Sequence, residues 1–205
     1  MPAPSLATDA LVLLKRLPAE SFQTYTVFSA EHGTLQVLQR IAKKSAATTV
    51  ALDLFDEVSL QLESSNQGHT WFIKEARLLT RPTGIGRSYE SLRAASSLAA
   101  LIARNPVHEE SRAAVGTLLR TAFAAFATDA RPDIVFFKSL YCFARDEGYP
   151  LKQQWFPMLV ADDRNAVAAL LNRPLADQTA SPDTVARLLR HLEDYLGGHT
   201  EILLD

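Results

Sequence analysis

The first half of the chain is dominated by segments in which apolar and polar side chains alternate, the pattern of half-buried β-strands. Residues 22–29 and 34–41 are two such segments, and Glu31, His32 and Gly33 lie between them. Because glycine tolerates the positive φ that a tight turn requires, the two segments are predicted to pair as a hairpin.

Three further segments have the same character, at residues 10–16, 52–62 and 69–80. The middle one is interrupted at residues 55–57, where a bulge is expected to bend the strand. Residues 1–8 are expected to form a loose leader. Five strands with one such bend can close a small barrel, and OB-type barrels commonly bind nucleic acid.

After residue 88 the apolar spacing changes to that of amphipathic helices. The predicted helical ranges are 88–104, 109–127, 133–146, 165–171 and a last helix from the Ser181 cap to Gly197 and Gly198. Pro182 occupies the first turn of that last helix, where proline is favoured. The predicted fold is therefore α+β, with a five-stranded OB-like barrel in residues 1–82 and a helical bundle in residues 83–205.

The charge of the chain restricts how it could bind nucleic acid. The formal net charge is −2 and the pI is about 6.2, so any such contact must be local. The residues predicted to contact DNA are Arg40, Lys43, Lys44, Lys74, Arg77, Arg81 and Arg87. Taken alone, the cluster at residues 40–44 could equally solvate the end of a hairpin. Trp71, Phe72 and Tyr25 are expected mainly to fill the barrel, with stacking on bases as the alternative.

Side chains that carry covalent or metal chemistry are sparse. Cys142 is the one cysteine, and none of the five histidines has another histidine or a cysteine two or four positions away, so no metal site and no cofactor are expected. Adjacent carboxylates such as Asp162 and Asp163 are typical of a solvated surface. A non-enzymatic protein is therefore predicted. Without a signal peptide or an apolar run of about 20 residues, it is expected to be cytoplasmic.

Several motifs, taken in chain order, resemble the RecO family of bacterial recombination mediators. They are Phe28-Ser29-Ala30-Glu31-His32-Gly33, the basic turn from Arg40 to Ser45, Leu52-Asp53-Leu54-Phe55 leading into Val58-Ser59-Leu60, and Gly148-Tyr149-Pro150 after a helix. The family's basic loop usually has a glycine before the basic cluster and more Lys or Arg within it. This chain has Ile41 and Ala42 there.

The resemblance implies a mediator of DNA repair and homologous recombination that binds single- and double-stranded DNA and promotes annealing. With RecR it would help to load recombinase onto strands covered by single-strand DNA-binding protein, in the bacterial nucleoid. The helical half would dock the acidic, aromatic-ended tail of that protein, and the side chains offered for the groove are Arg112, Arg120, Phe136 and Lys138. The alternative is a non-catalytic protein-interaction adaptor whose barrel no longer binds DNA.

Overall fold

The computed structural model describes residues 4–19, 21–41, 50–64, 70–128 and 131–204. Within these ranges the strands are β1 (Ser5–Lys15), β2 (Phe22–Ser29), β3 (Gly33–Arg40), β4 (Glu57–Glu63) and β5 (Trp71–Thr80). The α-helices are α1 (Tyr89–Arg104), α2 (Arg112–Phe126), α3 (Pro132–Asp146), α4 (Trp155–Met158), α5 (Ala161–Asn172) and α6 (Pro182–His199). The predicted α+β class is confirmed.

The five strands form a closed barrel in the order β1-β2-β3-β5-β4. Every neighbouring pair is antiparallel except β3 and β5, which run parallel where Val37 and Leu38 lie opposite Trp71 and Phe72. Irregular register between β1 and β2 and between β4 and β5 marks the bulges that bend the sheet. The predicted OB-like barrel followed by helices is therefore correct.

Alternation along the strands places one apolar set inside the barrel. The buried set is Ala10, Val12, Tyr25, Val27, Val37, Leu52, Val58, Leu60 and Leu62. Each side chain of the larger types contributes about 1.5–3 kcal/mol when it leaves water. The Tyr25 hydroxyl donates to Gln39 Oε1 at 3.2 Å or to the Leu52 carbonyl at 3.3 Å, so this polar group is satisfied. Burial, with the nearby charges of Asp53 and Asp56, raises the pKa of Tyr25.

The predicted hairpin between β2 and β3 is confirmed, and its turn is held by Ser29. The Ser29 hydroxyl accepts from the amides of Glu31 at 3.1 Å and His32 at 3.2 Å, and it also bonds the Thr8 hydroxyl at 2.7 Å. Gly33 follows with φ of 71°, a conformation that favours glycine. The turn therefore fixes the register of the whole hairpin, from Ser29 opposite Gly33 onwards.

Strand β1 begins earlier than the sequence predicts. Residues 5–8 lie opposite residues 60–63 of β4, from Ser5 opposite Glu63 to Thr8 opposite Leu60. The expected loose leader is therefore wrong for residues 5–8. Their partner strand lies about 50 residues away in the sequence, and local pattern does not reveal such pairing.

Strand β4 begins later than predicted, because residues 53–56 form a turn in which Phe55 and Asp56 are buried. The Asp53 amide donates to Asp56 Oδ2 at 2.8 Å, and the Phe55 amide donates to the Val12 carbonyl at 2.8 Å. Phe55 has φ of 69°, which no regular strand contains. The predicted long strand from residue 52 with a bulge at residues 55–57 is therefore wrong.

The predicted helices begin and end within about three residues of the observed ones, except α5, which begins at Ala161 and not at residue 165. The α1 stripe is buried from Ala95 onwards, whereas Tyr89 and Leu92 at its start are exposed. In α6 the Ser181 hydroxyl accepts from the Thr184 amide at 3.2 Å, and the helix continues past the predicted glycine end to His199. The four-residue helix α4 was not predicted, since it is shorter than one amphipathic repeat.

The chain divides into two compact units, each of which is described by itself. The first contains Met1–Pro82 and Ile102–Leu119, and the second contains Thr83–Leu101 and Arg120–Asp205. The predicted domain limits at residues 82 and 83 stay a prediction. Among the described residues, no helix combines the length and the apolar character needed to cross a bilayer.

We predict that Asp56→Asn lowers the free energy of unfolding by about 2–4 kcal/mol. The Asp56 carboxylate is fully buried and accepts from Arg81 Nε at 2.8 Å and Nη2 at 2.5 Å, so the amide leaves the guanidinium without its counter-charge. Urea unfolding measures the change.

The control is Glu63→Gln, which removes the exposed ion pair with Lys74 and should change stability by less than about 1 kcal/mol. Equal effects of the two variants would show that the Asp56 pair does not stabilise the barrel.

A second prediction concerns how the stability of the second unit depends on pH. In this unit, Arg187 of α6 donates a hydrogen bond to the buried carboxylate of Asp163 on α5. That hydrogen bond lowers the pKa of Asp163, against the opposing effect of burial. A carboxylate with a lowered native pKa stabilises the fold above its unfolded pKa, and this contribution is lost as pH falls through the native pKa.

The stability advantage of the wild type over Asp163→Asn should therefore be present at neutral pH and shrink below about pH 4. Urea unfolding at a series of pH values measures it. Asp162→Asn, at the exposed neighbouring position, should follow the wild-type curve. A pH-independent difference at position 163 would contradict the assignment.

Candidate nucleic-acid interface

The outer face of the β2–β3 hairpin is the first part of the candidate site. Tyr25 lies opposite Val37 in the core, so the flanking positions on both strands face the other way. Phe22 lies opposite Arg40 there, and Thr24 lies opposite Leu38. Arg40 is exposed at the end of its strand, whereas Phe22 is half-buried. An aromatic ring and a cation therefore face outward from opposite positions of the hairpin.

The start of β5 adds a second ring to this face. Trp71 packs against the core cluster, so the next residue, Phe72, faces outward. The Phe22 and Phe72 rings are in edge-to-face contact, with centroids 5.6 Å apart and planes at 65°. Each ring is half-buried, which leaves part of its surface open to a ligand. We call Phe22, Phe72 and Arg40 the outer-face cluster.

The three aromatic residues for which stacking was the alternative to barrel filling have different positions. Tyr25 is 3% exposed inside the barrel, so the expected place in the barrel is confirmed for it. Trp71 also packs against the core, and Phe72 alone of the three faces outward. Phe22 is a candidate that the sequence pattern did not indicate. Its position opposite Arg40 follows from the hairpin register, which the turn at Gly33 could have supplied.

Three of the basic residues predicted to contact DNA, Arg40, Lys74 and Arg77, lie on the described strands β3 and β5 and are exposed. Arg40 belongs to the outer-face cluster, whereas Lys43 and Lys44 lie outside the described residues. On β5, Arg77 is exposed and Lys74 pairs with Glu63 at 2.8 Å. Such an exposed ion pair is weak, so the Lys74 ammonium can exchange its carboxylate for a phosphate at small cost.

The last two predicted DNA contacts, Arg81 and Arg87, differ from the others. Arg81 donates to the Asp56 carboxylate through two nitrogens and to the Ala51 carbonyl at 2.8 Å. These bonds give it a structural role, and the hydrogen bond to Asp56 raises the pKa of Arg81. Arg87 is exposed in the short 3₁₀ turn Ile85–Arg87 and belongs to the second unit. Contact of either residue with DNA stays a prediction.

The loop between β1 and β2 lies at the same end of the hairpin as Phe22 and was not singled out by the sequence. Its stem is fixed by bonds from the Arg16 amide to the Thr24 carbonyl and from the Ala19 amide to the Phe22 carbonyl, both 3.0 Å. Arg16 is exposed, and Leu17 is 93% exposed. The loop therefore presents a cation and an apolar side chain next to each other.

The four side chains predicted to bind a protein partner belong to different units. Arg112 belongs to the first unit, where its Nη1 donates to the Glu31 carbonyl at 3.2 Å, while the other three belong to the second. Lys138 donates to the Arg173 carbonyl at 3.0 Å, which satisfies the end of α5. Arg120 is exposed and Phe136 is half-buried. A groove formed by all four residues stays a prediction.

The other rings of α2 and α3 are part of the core. Phe123, Phe126, Phe137 and Phe143 are each at most 2% exposed. Of the adjacent pair at residues 136 and 137, the first is therefore the member with accessible surface. Phe136 is the ring in these two helices that is best placed to meet a partner.

The reactive side chains within the described ranges are the possible metal ligands and the Cys142 thiol. No group of three or more His, Cys, Asp or Glu residues there could hold a metal ion. Cys142 is half-buried, and burial raises the pKa of its thiol despite the opposing charge of Arg145. The thiolate that a nucleophile requires is therefore disfavoured at neutral pH.

Comparison with known proteins returned no match, either to a protein-family model or to a curated protein. The likeness to the RecO family therefore rests on the motifs given above.

Proposed function

We propose that this chain is a non-enzymatic mediator of DNA repair and recombination whose barrel binds DNA through its outer face. The observation that carries the proposal is the outer-face cluster of Phe22, Phe72 and Arg40. OB barrels bind oligonucleotides on the face of strands 2 and 3, where this cluster lies. Aromatic rings bind bases by stacking, and cations bind the phosphates between them.

The basic residues extend this contact along the nucleic-acid backbone. Arg40 would touch phosphates at the end of β3, and Lys74 and Arg77 would continue the track along β5. Lys43 and Lys44, three and four positions after Arg40 in the sequence, are proposed as further phosphate contacts. Phosphate contacts of this kind are independent of sequence and serve both single and double strands. The overall charge of −2 keeps the rest of the surface from holding DNA nonspecifically.

This arrangement suits a protein that handles strands without chemical change. Annealing requires that phosphate repulsion be reduced while bases stay available to a complementary strand. A small open face meets both conditions, since it does not enclose the strand. The cellular role that we propose is cooperation with RecR in loading recombinase onto strands covered by single-strand DNA-binding protein.

A second candidate is a protein-interaction adaptor that does not bind DNA. The observation that favours it is the pairing of Lys74 with Glu63 and of Arg81 with Asp56, which reduces the positive charge along β5. The two candidates differ in one measurable property, the affinity of the barrel for DNA and its dependence on salt.

We predict that binding to a fluorescent single strand weakens with salt, because cations displaced from the DNA return to it as salt rises. For about three to five neutralised phosphates, log affinity should fall against log salt with a slope of roughly −2 to −3.5. Arg40→Glu should weaken binding about tenfold and make the slope shallower by about 0.7. Fluorescence anisotropy measures both.

The matched control is Lys152→Glu, which makes the same charge change at an exposed position of the second unit. It should leave affinity within about twofold of wild type. Replacing Lys43 and Lys44 together with Arg40 should abolish binding. Absence of wild-type binding at low salt would favour the adaptor, and unchanged binding by the triple variant would place the DNA site elsewhere.

A further prediction concerns the helical half and the tail of the single-strand DNA-binding protein. A labelled peptide with that acidic, aromatic-ended tail should bind more tightly than a peptide lacking the terminal aromatic residue, because the ring needs an apolar surface such as Phe136. Phe136→Ala should weaken binding, whereas Met158→Ala, at an exposed apolar residue of the same unit, should not.

Fluorescence anisotropy also measures this titration. Equal binding of the two peptides, or none by about 0.1 mM, an affinity near −5.5 kcal/mol, would show that the groove is absent.

A further inference from the structure

Leu17 is the most exposed of the large apolar side chains in the described part of the chain, at 93%. A single exposed leucine is ordinary on a protein surface. The position of this one is less ordinary, because its loop is tied on both sides by backbone bonds, from Arg16 to Thr24 and from Ala19 to Phe22. The Gln23 side chain also donates to the Arg16 carbonyl at 2.5 Å. The structure therefore holds an apolar side chain out into solvent.

Other apolar groups lie at the same end of the hairpin. Phe22 and Phe72 are half-buried in the outer-face cluster, and Ile41 is 40% exposed. The Ile41 amide donates to the Ser21 carbonyl at 2.9 Å, which ties the end of β3 to the segment that follows the loop. The exposed cations Arg16 and Arg40 belong to the same end. Apolar surface and positive charge are thus combined there.

We infer that Leu17 is a wedge that inserts against an exposed base pair, so that the preferred ligand of this face is the junction between a duplex and a single strand. The inference rests on the proposed DNA-binding function. Proteins that unstack bases frequently insert a Leu, Ile, Phe, Met or Pro side chain between base steps and use Arg or Lys beside it to bind the groove. In this chain the apolar wedge is Leu17, which is followed by Pro18, and the neighbouring cation is Arg16.

The junction is favoured over the interior of a duplex by the cost of unstacking. Separating two stacked base pairs inside a duplex costs a few kcal/mol, and this cost is smallest where the neighbouring base is already unpaired. The rings of Phe22 and Phe72 give that unpaired base a stacking surface, while Leu17 meets the last base pair. A protein partner would use the apolar groups but would not require Arg16 and Arg40 as phosphate contacts.

The test compares wild type and Leu17→Ala on three DNAs: a single strand, a blunt duplex, and a duplex with a single-stranded tail. The tailed duplex carries 2-aminopurine at its last paired position, a base whose fluorescence rises on unstacking. Wild type should bind the tailed duplex more tightly than the blunt duplex and raise the fluorescence. Leu17→Ala should lose the rise and about tenfold of the affinity for the tailed duplex, because it removes the apolar surface that the base pair would bury.

Two controls separate the inference from the function on which it rests. Leu17→Ala should keep wild-type thermal stability and bind the single strand within about twofold, because the removed side chain is exposed. Met158→Ala should behave as wild type throughout. If wild type binds none of the three DNAs, the proposed function fails and the wedge with it. If wild type binds them and Leu17→Ala keeps the fluorescence rise and the junction preference, the wedge alone is overturned.

Discussion

The buried carboxylate of Asp56 is the interaction on which the barrel depends. The carboxylate accepts hydrogen bonds from the guanidinium of Arg81 and from the backbone amide of Asp53. The backbone carbonyl of Asp56 accepts a hydrogen bond from the Val12 amide at 2.8 Å. One residue thereby joins β1, the turn before β4 and the segment that follows β5. A buried charge without its partners is costly, so these three segments are stable only together. The Asp56 bonds therefore add to the strand pairing of β1 with β4 and of β4 with β5, which closes the barrel.

Closure also determines what remains outside. Once the inward positions of β2, β3 and β5 are filled by the core cluster, the next positions must face outward, whatever their chemistry. Polar residues such as Thr24 suit that face, whereas Phe22 and Phe72 gain only part of the burial that they would have in the core. Their mutual edge-to-face contact recovers some of it. The two rings therefore keep part of their apolar surface open, next to the exposed cation Arg40.

The sequence predicted best those features whose determinants are local. The β2–β3 hairpin follows from the turn at Gly33, and the start of α6 follows from Ser181 and Pro182. Local pattern failed where a distant partner decides the outcome. Asp56, next to Glu57, has the pattern of a surface carboxylate, and its burial depends on Arg81, 25 residues later.

The candidate site also contains residues that the local sequence indicates and residues that only contacts between distant segments reveal. Arg40 was evident as the start of a basic cluster, whereas Phe22 became a candidate only through its register with Arg40 and its contact with Phe72. Arg112 was grouped with residues of the helical half, but it belongs to the first unit and donates to Glu31 in the hairpin turn. In each case the missing information is a contact between distant parts of the sequence.

The central claim is that the outer-face cluster binds DNA. The most direct measurement is a titration of isotope-labelled protein with a short single strand, followed by the backbone amide resonances in nuclear magnetic resonance spectra. Binding at this face predicts that the largest shifts fall at Phe22, Arg40, Phe72 and the neighbouring loop at residues 16–19, with helix α6 unchanged. Shifts confined to the helices, or none at saturating DNA, would contradict the claim.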